Sequence, residues 1–383
     1  MVTPFHLKAA YADHFPGTPE WVRAPGRINL IGEHLDYNLG YVFPVAIDKT
    51  MWLGMTASEG AEIEMVAADL GETGRFAPGD VDDRAPGWLK YLQALVKEAQ
   101  IAGLNIPGIQ GLIGGNIPVG AGLSSSAAMG AGVIYWLYHH NGMAIDRMAI
   151  ARIAQAAEHR IGVKCGIMDQ FAVLHGKTGQ AVRLDCRDMS YEYAPLNLSD
   201  YILVLINTHV SHTLADTGYN DRRATCESVL KYLQSQVDGI ESLRDVTADM
   251  LQTHAGTIGE TGIARVSYVL EEHQRVIKAT SALRNGDFEL LGQLLYASHT
   301  GLSEQYEVSC EELDLLIELA KKEKLPGARM VGGGFGGCTL NLIERDRWEA
   351  VIERMTEAYQ KETGIEASVY AVVADEGVSL LAE

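Results

Sequence analysis

The sequence predicts an α+β fold in two domains, on three observations. The chain has 383 residues, more than twice the ~150 of an average domain. Its first half mixes short β-branched runs with glycine-rich loops, and after about residue 210 long helical patterns take over. It then closes on strand, helix, strand, the order of a small α+β unit. The change of character falls near Pro195, giving residues 1–195 and 196–383 as the two domains.

Each element follows from its pattern. Tyr41–Ile47 and Met51–Ala57 read as strands, and Ile109–Ile117 alternates as another. Trp88–Ala99 carries Leu89, Leu92, Leu95 and Val96 at helical spacing. Ser124–His140 follows a glycine-rich loop and predicts a mostly buried helix, with an Ala-rich helix over Asp146–Arg160. Gln180–Asp185 and Ile202–Asn207 are apolar runs of strand length. Four helical patterns follow, Thr213–Gln236, Ala264–Arg284, Phe288–Tyr306 and Glu311–Lys322. Arg329–Ile343 is strand-like but broken by glycines, and helix Arg347–Thr363 precedes a last strand, Ala367–Ala374.

The bulk numbers exclude several functions. A net charge of −19 repels phosphate backbones and anionic lipids, which argues against nucleic-acid and membrane partners. Five scattered cysteines without CxxC spacing support neither zinc nor a disulfide framework. Together with an N-terminus lacking an apolar signal segment, they suggest a cytoplasmic protein. No apolar run approaches the ~20 residues that span a bilayer. Glycine, at 40 residues, is in surplus, so several places need tight turns or close backbone approach.

Four segments concentrate chemistry. Pro118–Ala128 places Gly120, Gly122, Ser124, Ser125 and Ser126 between a strand and a helix. Inward-turned backbone N–H groups and a helix N-terminus make such a loop an anion cradle, and one serine could ligate Mg²⁺. The plainer reading is a turn with a serine cap. Gly176-Lys177-Thr178 is a decoy, because the first glycine of a phosphate-binding P-loop would fall at Phe171.

Within Arg23–Ile47, the groups Glu33, His34 and Asp36 offer acceptors to a polyhydroxyl ligand, while Arg27 suits phosphate. A polar hairpin with a local ion pair is the plainer account. Cys165–Phe171 sets Asp169 beside a glycine turn, and Glu158 would ordinarily be a solvated helix charge. Val331–Cys338 leaves room for little but Phe335 and predicts close approach of backbone to a ligand.

In order, Gly26–Asp36, Pro118–Ala128 and Val331–Gly337 resemble the three motifs of the GHMP kinase superfamily. Gly26–Gly40 is similar to the galactokinase signature G-R-x-N-L-I-G-E-H-x-D-Y-x-x-G, with Leu35 where a threonine is usual. The resemblance extends through Cys165–Phe171 and Ala215–Glu227. It implies an N-terminal domain of the ribosomal-protein-S5 type, a ferredoxin-like C-terminal domain and an active-site cleft between them.

It also implies transfer of phosphate from ATP to the C1 hydroxyl of galactose, by a monomer or weak oligomer. In that scheme Asp169 faces the C1 hydroxyl and Arg27 stabilises the transferring group. Glu33, His34, Asp36, Gly166 and Tyr219 bind the sugar, and Gly120, Gly122, Ser124 and Ser125 the phosphates. Ser126 and Glu158 hold Mg²⁺, and Trp88 lies near adenine. Asp36, bonded to neighbouring ring hydroxyls, would select galactose over glucose. The alternatives are another sugar kinase of the superfamily, for N-acetylgalactosamine, arabinose or a uronate (the last opposed by the Glu33 charge), and a catalytically silent galactose sensor.

Overall fold

The computed structural model describes residues 4–118, 120–211 and 215–381. The elements run α1 (Pro4–His14), β1 (Glu20–Asn29), β2 (Tyr41–Val42), β3 (Pro44–Ser58), β4 (Ile63–Ala67), β5 (Glu72–Phe76), α2 (Gly87–Ile101), β6 (Gly108–Gly115) and α3 (Ser125–His140). Next come α4 (Arg147–Arg160), α5 (Met168–His175), β7 (Gln180–Asp185), β8 (Tyr191–Pro195), β9 (Tyr201–Ser211), α6 (Ala215–Gln236), α7 (Ala248–Thr253), α8 (Ala255–Asn285) and α9 (Phe288–Glu304). The chain finishes with α10 (Glu311–Lys322), β10 (Gly327–Met330), β11 (Gly336–Glu344), α11 (Trp348–Thr363), β12 (Ser368–Val372) and β13 (Ser379–Leu380).

Three sheets organise them. Six strands run in the order β13-β1-β3-β6-β4-β5, four in the order β10-β11-β9-β12, and three in the order β2-β7-β8. β8 ends at Pro195 and β9 belongs to the C-terminal sheet, whereas β13 returns to pair with β1. The two halves share a core through β9. Its alternation sends Leu203 and Leu205 into the large core with the first sheet, and Ile202, Val204 and Ile206 against α10 and α11. No helix among the described residues is long and apolar enough to cross a membrane.

Two departures from the sequence pattern have local causes. β1 is hidden in the sequence by Pro25-Gly26, which reads as a turn. In the fold this pair is a register shift within the β1–β3 ladder, where an irregularity tolerates the missing proline N–H. A Cβ on Gly26 would stand 2.9 Å from the Leu123 carbonyl, so the glycine lets β1 touch the Pro118–Ala128 loop. β3 is one strand through Asp48-Lys49-Thr50 rather than two. The Lys49 ammonium is satisfied by Asp48 and by the Ala371 carbonyl, both at 3.0 Å, so polar residues do not interrupt the pairing. The start of the predicted Thr213–Gln236 helix, at Thr213 and Leu214, lies outside the described residues, as does Val119 of the loop.

Candidate active site

Arg27 stands at the end of β1, beyond the bulge, and is only 4% exposed. Its Nε and Nη2 donate to the two Asp169 carboxylate oxygens at 2.8 and 2.6 Å, and Nη1 donates to the Gly122 carbonyl at 2.6 Å. Burial alone would lower the Arg27 pKa, yet Asp169, Glu33 and Asp36 together hold it above its ordinary value. Asp169 lies in the first turn of α5, and its Oδ2 also accepts from the Ser124 hydroxyl at 2.5 Å. Ser124 adopts a left-handed φ of 60° just before α3 begins, and Gly120 and Gly122 also have positive φ. The sequence thus joins three remote segments at one carboxylate.

The Glu33–Asp36 turn follows β1. Glu33 accepts from Asn29 Nδ2 at 3.1 Å and from the Gly332 N–H at 2.8 Å, and it forms an ion pair with the Arg329 guanidinium at 3.1 Å. Its backbone carbonyl accepts from Tyr268 at 3.0 Å. His34 packs its ring 5.3 Å from Tyr219 and 5.0 Å from Tyr306, and its Nδ1 pairs with the Tyr37 hydroxyl at 2.8 Å. Burial first, with the charges of Arg329 and Arg222, pushes the His34 pKa down to about 3, so the ring is neutral. Its Nε2 is buried without a well-formed hydrogen bond, although the Gly333 backbone lies close by.

Asp36 accepts from the backbone N–H of Tyr37 at 3.0 Å and of Met168 at 3.3 Å. Burial, then the neighbouring Asp169 charge, raises its pKa to about 6. Gly166 passes so close that a Cβ there would sit 2.0 Å from Asp36 Oδ2. Gly166→Ala therefore displaces the Asp36 carboxylate. We expect the KM of a substrate held by Asp36 to rise at least ~10-fold with a near-normal melting temperature, an unchanged KM removing Asp36 from the binding set.

These residues line two adjoining cavities. The first, of about 250 Å³, is walled by Arg27, Glu33, His34, Asp36, Asp169 and Tyr219, with Gly166 at its edge. The second, of about 370 Å³, is lined by Trp88, Met51, Leu70, Ile113, Ile117 and Met129 and is mainly apolar. Ser126, Glu158 and Val163 belong to both. Glu158 is 7% exposed, so it is not the solvated helix charge its position suggested. Burial raises its pKa, against the Cys165 thiol, which donates to Oε2 at 2.9 Å, and the Ser126 hydroxyl, which also bonds it. A polar cavity and an apolar one thus meet at a hydroxyl and a carboxylate.

Family models match the chain in three places. A galactokinase galactose-binding signature covers residues 9–56, the GHMP kinase N-terminal domain residues 89–177, and the GHMP kinase C-terminal domain residues 279–361. The galactokinase of Thermotoga maritima is 38% identical over 359 residues, 93% of this chain and 99% of that one. That of Lactiplantibacillus plantarum is 39% identical over 378 residues, covering 96% and 97%. The chain belongs to the galactokinase family. A crystal structure of Lactococcus lactis galactokinase complexed with galactose superposes with a TM-score of 0.92, at 34% identity over 98% of this chain and 99% of that one. The mevalonate kinase of Methanococcus jannaschii, at 16% identity and a TM-score of 0.67 over 94% of this chain and all of that one, shares the fold. The α+β, two-domain GHMP kinase expectation is therefore met.

Within this galactokinase-family site, three features were not legible in the sequence. Arg329, fully buried in β10, neutralises Glu33 and also donates to the Asn29 carbonyl at 2.8 Å, linking the C-terminal sheet to the sugar motif. Glu272 of α8 accepts from the Gly32 N–H at 2.9 Å, which fixes the base of the same turn. The glycine cluster lines the polar cavity through Gly332, Gly333 and Gly334, and it also approaches the Pro118–Ala128 loop, where a Cβ on Gly332 would meet the Gly122 carbonyl at 3.2 Å. Lys177 is exposed, with its ammonium 4.7 Å from the Tyr193 ring, as expected of a surface turn.

Proposed function

We propose that the chain transfers the terminal phosphoryl group of ATP to the C1 hydroxyl of D-galactose. The observation that carries this reading is the junction of two unlike cavities at Ser126 and Glu158, with the Arg27–Asp169 pair beside it. The first cavity, at about 250 Å³, lies just below the ~300–1,000 Å³ typical of ligand sites and is rich in acceptors, which suits one hexose. The second suits an adenine stacked near Trp88. Neutral His34 and Asp36 offer bonds to ring hydroxyls, and Tyr219 covers them.

Asp169 receives the hydrogen bond of the C1 hydroxyl and aims its oxygen toward the second cavity. Arg27, locked to both Asp169 oxygens, holds that carboxylate still and puts a cation where charge develops on the transferring group. Gly120, Gly122 and Ser125 bring backbone N–H groups and the α3 N-terminus to the phosphates. Ser124, engaged with Asp169, couples the loop to the acid. Ser126 and Glu158 would hold Mg²⁺, for their hard oxygens on the shared wall fit that ion. When bound, it neutralises charge on the phosphates.

Asp36 gives a pH signature. Its acceptor strength needs the ionised form, so kcat/KM for galactose should fall as pH drops through about 6. Asp36→Asn should remove that limb at a lower plateau, and a limb that survives the substitution assigns it to another group. The raised pKa has the opposite sign for stability. The protonated group favours the folded state fully below its unfolded pKa of ~3.9, and this is lost as pH rises through about 6.

ADP release by the pure protein across hexoses, hexosamines and uronates tests the reading. It should be strong with galactose and at most weak with glucose, whose epimeric C4 hydroxyl leaves Asp36 poorly paired. No ADP with any sugar would favour a silent sensor.

A further inference from the structure

A third cavity, of about 470 Å³, lies away from the two already described, against α7 and α8 and the turn that leads into β2. Its lining is basic in a strongly acidic molecule: Arg244, Arg275 and Lys278 face one carboxylate, Glu271. Arg244 is paired with Asp185 at 2.6 Å, and Arg275 reaches Glu272 at 2.5 Å and Glu271 at 3.3 Å. Lys278 is exposed and has no ion pair among the described residues. Val246, Val269 and Leu270 form an apolar wall beside these cations. His273 also lines the cavity. Its ring stacks on Tyr41 at 4.7 Å, with the Arg244 guanidinium 4.5 Å from the same tyrosine ring. Burial, then the Arg244 charge, lowers the His273 pKa to about 4, so this ring offers a neutral face.

The cavity is wired to the Gly32–Asp36 turn through Arg275. Glu272, which Arg275 holds, is fully buried and accepts from the Gly32 N–H. The Arg275 guanidinium also lies 5.7 Å from the Tyr268 ring, whose hydroxyl donates to the Glu33 carbonyl. An anion arriving beside Arg275 competes with Glu272 for it. Loosening Glu272 frees the Gly32 end of the turn that carries Glu33, His34 and Asp36.

We propose that this third cavity binds a small organic phosphate ester, and that its occupancy weakens sugar binding in the first cavity. Lys278 and Arg275 take the phosphate, and the apolar wall with the His273 face takes the carbon skeleton. The coupling half of the proposal rests on the first cavity being the sugar site. The binding half does not.

Glucose 6-phosphate is the probe, with inorganic phosphate and glucose as the other arms, on the full-length protein. Calorimetry should show glucose 6-phosphate binding at micromolar to millimolar concentration without galactose or ATP present, inorganic phosphate binding more weakly, and glucose not at all. The ester should raise the KM for galactose roughly 5-fold or more. Lys278→Glu should lose both effects while keeping the ester-free kcat and KM, because Lys278 has no partner to abandon. No heat up to millimolar ester, or unchanged binding in Lys278→Glu, overturns the site. Inorganic phosphate matching the ester overturns the role of the apolar wall. Binding that vanishes in Lys278→Glu but never moves the galactose KM overturns the coupling and leaves the sugar reading intact.

Discussion

Asp169→Asn should keep the fold and lose ~10²- to 10⁴-fold in kcat, the range for removing a group that handles a proton in the transition state. The substitution is nearly isosteric, and Arg27 still has the Gly122 carbonyl at 2.6 Å as well as the charges of Glu33 and Asp36. What it removes is a carboxylate that accepts from Arg27 twice and from Ser124 once, and that stands on the wall of the polar cavity. Because the loss should fall on the chemical step, KM for galactose should move much less than kcat. Steady-state kinetics with a melting curve for the same preparation reads both. A variant with normal kcat takes Asp169 out of the mechanism, while one that is unfolded shows that its pairing with Arg27 is chiefly structural.

The largest stability effect is expected at Arg329. Arg329 and Glu33 have side chains 0% and 2% exposed and lie 3.1 Å apart. Removing one partner of a buried pair strands the other, at a cost of about 3–5 kcal/mol. Arg329→Met should therefore lower the urea midpoint sharply. Glu33→Gln with Arg329→Met should recover part of the loss, since no uncompensated charge then remains. The double variant should not recover sugar binding, because Glu33 lines the polar cavity proposed to hold the sugar. If Arg329→Met is as stable as the parent, water reaches Glu33 and the pair does not tie the C-terminal sheet to the sugar motif.

Much of the site could be read from sequence because the motifs are contiguous. Gly26–Asp36, Pro118–Ala128 and Cys165–Asp169 each carry their polar groups within a short span, and the fold needs only to bring three spans together. The helices were legible for a similar reason, as α2, α9, α10 and α11 show plain apolar periodicity.

The missing parts depend on distance. Arg329 looks like an ordinary strand residue, Gly-Ala-Arg-Met, and only in the fold does its side chain reach the carbonyls of Asn29 and Leu30 at the end of β1, beside Glu33. Glu272 sits in the middle of α8, where a glutamate is normally solvent-facing, and becomes buried because Gly32 and Ser298 supply it with donors. β1 was obscured by Pro25-Gly26, for a bulge that serves the site resembles a turn in one dimension. Ser124 presents a subtler case. The loop pattern marks it as a phosphate ligand, and only its left-handed backbone directs the hydroxyl to Asp169.

The central claim is that the hydroxyl facing Asp169 belongs to C1 of galactose. The most direct test is to let the pure protein turn over ATP, Mg²⁺ and galactose, then locate the new phosphate by phosphorus–proton correlation NMR. The geometry predicts a phosphate on the anomeric oxygen, one per ADP released, with the sugar's reducing end lost. A phosphate on any other carbon, or ADP released with the galactose unmodified, would contradict the placement of Asp169 and the orientation of the sugar derived from it.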